Sequence, residues 1–122
     1  MLNTDALTRL DIDAEEGLAY CADDPDFYEE MLQEYLNESA GRLAELEQFY
    51  AARNWDRYAI CAHSVKSSSR MIGAKGPAEF ARELEMAAKE GNETLLLSGH
   101  DRFLTEYRSL TEKLRGLLQA AG

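Results

Sequence analysis

The sequence is short of several things, and each shortage excludes something. No apolar run approaches the ~20 residues of a membrane-spanning helix. The first residues are polar and mixed, so no signal peptide is visible and a cytoplasmic location is the expectation. Basic residues are outnumbered, 13 against 23 acidic, for a net charge of −10. Without a dense basic stripe, neither nucleic acid nor an anionic membrane surface is an expected partner. The acidity instead keeps a domain soluble and favours a monomer. No P-loop or other glycine-rich nucleotide loop occurs, so the chain is not expected to use ATP or to be a kinase. Proline appears twice and glycine eight times. β-branched residues are scarce, and no alternating run is long enough for a useful strand. The two cysteines, Cys21 and Cys61, are far apart, lack metal-ligand spacing and fall on apolar helical stripes. They read as buried free thiols.

What is present is helix-forming. Ala, Leu, Glu, Arg and Lys dominate, in a chain of 122 residues, enough for one domain with a core and too few for two. Residues 1–12 read as an arm with a short helical turn carrying Leu7, Leu10 and Ile12. Asp13 and Glu16 form a capping box for a short N-terminal helix. Asp24-Pro25 starts a long helix to about Ala52, with a seam of Leu32, Leu36, Ser39, Leu43, Leu46 and Tyr50. The acidic residues opposite that seam read as a solvated face. Asn54 caps the next helix, about 55–74, which stops at Gly73. Pro77 to Glu90 makes a further helix with Phe80, Ala81, Leu84, Ala87 and Ala88 on one stripe. A last helix, about 93–120, carries Phe103, Tyr107, Leu110, Leu114 and Leu117, with a kink expected near Ser98-Gly99. The expected fold is all-α: an antiparallel up-down four-helix bundle over about 13–120, with a short N-terminal helix.

One of the two histidines sits in the 55–74 helix, in His63-Ser64-Val65-Lys66-Ser67-Ser68-Ser69-Arg70-Met71-Ile72-Gly73-Ala74. On a wheel of ~100° per residue centred on Val65, the residues Tyr58, Cys61, Ala62, Ser68, Ser69 and Ile72 fall within roughly 60° and form the packing face. His63 lies about 160° away, with Ala59, Lys66, Ser67 and Arg70 on its side. An idle surface histidine would also sit there. Its company separates the two readings: a lysine at i+3 and small residues one turn either way suit docking by a protein that must reach the ring.

A neutral imidazole nitrogen is a competent nucleophile near neutral pH. Attack on a phosphoryl group gives a phosphoramidate, which can be passed on. Lys66 is placed to stabilise the transferring group, whose oxygens carry spread negative charge. No carboxylate cluster suggests a Mg²⁺ site near His63. No cofactor is expected in the chain, so a partner must supply the metal and the carboxylate. His100 reads as a surface or cap residue rather than a ligand.

These residues resemble the signature of histidine-containing phosphotransfer (HPt) domains, roughly His-x-Leu-Lys-Gly-Ser-(Ser/Ala)-x-x-x-Gly-Ala. Leu84-Glu85, Ala88 and Gly91 resemble the family's downstream pattern. The resemblance covers about residues 13–120. It implies a four-helix bundle in which His63 accepts a phosphoryl group from an aspartyl phosphate on one receiver domain and gives it to another. Receiver domains of response regulators or hybrid histidine kinases would be the partners, with Mg²⁺ in the receiver. By position, Lys66 would be the cation beside the phosphoryl and Glu85 the group contacting the ring nitrogen that faces away from the partner. Lys89, one turn on, would reach the same face. Ala59, Ser67, Arg70 and Lys89 would line the partner surface. The chain departs from the signature at Val65, which replaces leucine, and at Ser67, which replaces glycine. Ser67 keeps a second reading open, a degenerate bundle that binds a receiver without phosphotransfer. A metal-binding bundle has less behind it, because no inward Glu-x-x-His pair is present.

Overall fold

The computed structural model describes residues 2–121. Six helices follow in order: α1 (Thr4–Arg9), α2 (Ala14–Tyr20), α3 (Pro25–Ala51), α4 (Trp55–Met71), α5 (Lys75–Glu90) and α6 (Glu93–Ala121). No strand occurs among the described residues. Helices α3 to α6 pack in sequence, and α6 returns to α3, closing a four-helix bundle. Their connections are two or three residues long, which forces neighbours to run antiparallel.

The starts are set by side-chain caps. Asn3, Asp13, Asp24 and Asn54 each accept from a backbone N–H of the first turn, and Pro25 follows its cap directly. Helix α5 has no side-chain cap and begins at Lys75, two residues earlier than Pro77 suggested. The arm is more ordered than expected. It forms α1 and buries Leu7 and Ile12 in the core. Met1 of the arm and Gly122 of the tail lie outside the described residues.

Gly73 ties the N-terminal part to the bundle. It has φ +84°, and a Cβ there would run into the Asp13 carbonyl oxygen. The close approach lets the Asp13 N–H donate to the Gly73 carbonyl at 2.8 Å. One residue earlier, the buried Tyr28 hydroxyl donates to the Ile72 carbonyl at 2.7 Å. These bonds hold α2 and the start of α3 against the end of α4.

The expected seams are in the core: Leu32, Leu36, Ser39 and Leu46 on α3, Ala81, Leu84, Ala87 and Ala88 on α5, and Phe103, Tyr107, Leu110 and Leu114 on α6. One expectation on α6 is corrected, that for His100. The helical hydrogen-bond pattern of α6 continues through Ser98 and Gly99. Gly99 serves close packing: a Cβ there would lie 3.2 Å from Leu84 Cδ2 and 3.4 Å from Phe80 Cε1 on α5. His100 is a core residue, 2% exposed. Its ring stacks on Tyr50 with centroids 3.7 Å apart, and Nδ1 shares a 2.9 Å hydrogen bond with the Tyr58 hydroxyl. The α6 seam extends backwards by the same fours and threes, through His100 to Leu96. Both cysteines are buried and free, and burial pushes the Cys61 thiol up to about 11, which makes it inert.

Candidate functional site

Helix α4 is packed on by α2, α3 and α5. Apart from Arg57 in the first turn, what remains open is a narrow stripe of Asp56, Ile60, His63, Ser67 and Arg70, alternating by fours and threes. The His63 side chain is 57% exposed at the middle of that stripe. Hollows flank it on both sides. One lies toward α5, lined by Asp56, Ala59, Ile60, Ser64, Glu85 and Lys89 as well as His63. The other lies toward α3, where Met31, Glu34, Glu38, Ser67 and Met71 contribute.

The floor of the site is Glu85. Helix α5 buries Ala81, Leu84 and Ala88, and a residue next to Leu84 on that stripe is carried inward. Glu85 is 3% exposed, and a carboxylate so buried must be paired. Its Oε2 accepts from His63 Nδ1 at 2.9 Å and also meets Lys89 Nζ at 2.9 Å. Its Oε1 lies 2.8 Å from Lys66 Nζ, the charge partner of this buried oxygen. Burial pushes the Glu85 carboxyl up. The Lys66 and Lys89 ammonium groups and the His63 N–H outweigh that and hold it at about 2.

The protonation pattern follows. An ionised carboxylate only accepts, so His63 Nδ1 carries the proton. In the neutral ring Nε2 then holds the lone pair, on the edge of the imidazole opposite Glu85. The ring is thus held through Nδ1, and more than half of the side chain faces solvent.

The expected site residues divide into two groups. His63, Lys66, Glu85 and Lys89 are brought together in one cluster. Ser67 and Arg70 are exposed on the stripe, one and two turns beyond His63. Two placements from the wheel are corrected. Ala59 is only 5% exposed, because α5 covers it, and it forms part of a hollow's wall rather than an open surface. Lys66 does not point outward with His63. Its side chain is 15% exposed and bends to Glu85. Ile60 was missed, although it is 60% exposed one turn before His63. The same wheel puts Ile60 beside His63, so the signal was there: an isoleucine on the open side of a helix.

The chain is thus a helical bundle that presents one oriented histidine on an open stripe. The family model described as Hpt domain matches residues 30–121, and the chain belongs to that family. Hpt domains are phosphotransfer carriers of phosphorelays, not kinases, and they work with receiver domains. No curated protein and no solved structure matches the sequence. Among the described residues, no helix is long and apolar enough to cross a membrane.

Proposed function

We propose that His63 takes a phosphoryl group from the aspartyl phosphate of one receiver domain and delivers it to the aspartate of another. The supporting observation is the 2.9 Å bond from Nδ1 to the buried Glu85 carboxylate, beneath a ring that is more than half exposed. The Nε2 lone pair attacks phosphorus and the N–P bond forms. The acyl P–O bond breaks, and its electron pair stays on the receiver's carboxylate. The Nδ1 proton remains between the ring and Glu85, so no proton has to leave for the step to balance. The positive charge gained by the ring is offset by Glu85.

Glu85 acts as the positioning residue, fixing tautomer and ring orientation. Lys66 and Lys89 outnumber the Glu85 carboxylate, so the cluster is net positive beside the phosphoryl. The partner docks along the open stripe, over Ser67 and Arg70, and into the hollow walled by Ala59 and Lys89. Serine at position 67 is small enough to keep the ring accessible. The magnesium that supports the aspartyl phosphate belongs to the receiver.

The test is transfer from a panel of receiver domains loaded with acetyl phosphate and Mg²⁺. The chain should acquire acid-labile phosphate from at least one of them, and His63→Gln should acquire none. Equal labelling of His63→Gln would remove His63 from the reaction. Receivers that bind without transferring to the parent chain, but do transfer to Ser67→Gly, would favour a binding module.

A further inference from the structure

The two lysines of the cluster are not equivalent, and the difference lies in the two oxygens of Glu85. Oε1 is buried, and the partner it has is Lys66. If Lys66 swung away, Oε1 would be left buried and bare, which is among the costlier states for a carboxylate. Oε2 is doubly served, by His63 Nδ1 and by Lys89. If Lys89 leaves, the Nδ1 proton still satisfies that oxygen. The exposures agree: the Lys66 side chain is 15% exposed and the Lys89 side chain 64%. Lys89 also lines the hollow beside His63, where Lys66 has no part.

We infer that Lys89, from α5, is the cation that meets the phosphoryl group, while Lys66 stays on Glu85 as a fixed counter-charge. Lys89 Nζ and His63 Nδ1 both sit 2.9 Å from the same oxygen, so they lie within about 6 Å of each other. A rotamer change about the flexible lysine stem carries the ammonium past the ring to oxygens bonded through Nε2. The phosphoryl dianion supplies the attraction, and the Nδ1 proton keeps Oε2 paired. When the group departs, Lys89 falls back on Glu85. Lysine 66 thus positions the carboxylate that positions the ring, and Lys89 is the mobile contact to the transferred group. The inference rests on His63 being the phosphoryl acceptor.

The test avoids any choice of receiver by using phosphoramidate, a small phosphoryl donor that modifies imidazole directly. The full chain is treated and freed of reagent. The lysine ε-methylene NMR signals and the lifetime of the phosphohistidine are then followed. Phosphorylation should move the Lys89 signals and leave those of Lys66 in place. Lys89→Gln should shorten the lifetime by roughly three- to tenfold, the loss of one largely exposed charge contact. Lys89→Arg should restore most of it. Lys89 is the more exposed of the two, so both variants should lower the thermal midpoint less than Lys66→Gln does. Movement of Lys66 with a silent Lys89, or an unchanged lifetime in Lys89→Gln, overturns the assignment while leaving His63 as the carrier. Modification elsewhere than His63 overturns both.

Discussion

Replacing Glu85 by glutamine keeps the shape of the site floor and removes its charge. The consequence for stability can be worked from the structure. The carboxyl is held at about 2 in the folded chain against an ordinary 4.5. A difference of that size corresponds to about 3 kcal/mol at neutral pH. The sign follows from the depressed value. The contribution is complete above the unfolded pKa of 4.5 and is lost as pH falls toward the folded one near 2. By linkage, about 2 kcal/mol of it is gone by pH 3. Urea denaturation of parent and Glu85→Gln between pH 7 and pH 3 isolates this, because other carboxylates cancel in the difference. The parent should be more stable by about 2–3 kcal/mol at pH 7, and the gap should narrow by about 2 kcal/mol at pH 3. A gap that stays constant across that range would show that Glu85 is not held ionised by Lys66, Lys89 and His63.

Three further outcomes are expected. Gly73→Ala combines a positive φ with a Cβ aimed at the Asp13 carbonyl, and should cost about 2 kcal/mol or more in chemical denaturation. His100 is held toward its neutral form by burial, so its contribution is present above pH 6.5 and fades as pH drops below that value. His100→Gln should therefore flatten the parent's stability profile between about pH 6.5 and 5, measured by thermal midpoint. Ser67→Trp places a large ring on the open stripe next to His63. It should reduce transfer from a phosphorylated receiver by about tenfold or more, while phosphoramidate labelling of His63 and the thermal midpoint change little.

The bundle was legible because its signals are local. Asp24-Pro25, Asn54, Gly73 and Gly91-Asn92 punctuate the chain, and each helix carries its seam at intervals of three and four. The errors came from partners that a single helix cannot display. A wheel assigns one buried face, whereas α4 is covered by α3 on one side and α5 on another. Ala59 is therefore enclosed, and only a narrow stripe stays open. Lys66 was placed correctly at its Cα but not at its ammonium, because the carboxylate that draws it in belongs to α5. His100 follows Ser98-Gly99 and so reads as a surface or cap residue, although its position continues the α6 seam. Tyr58 and Tyr50, from two other helices, make that burial tolerable. Glu85 was reachable only by resemblance. In physical terms its clue was a carboxylate beside Leu84 on an otherwise apolar stripe, which calls for a buried cation without saying which.

In the proposed transfer Glu85 binds Nδ1 and leaves Nε2 as the attacking atom. Nitrogen–phosphorus correlation NMR on ¹⁵N-labelled chain, phosphorylated by a receiver domain, reads this directly. The phosphoryl group should appear on Nε2 of His63, with the proton retained on Nδ1. A phosphoryl group on Nδ1, or on any other residue, would contradict the account.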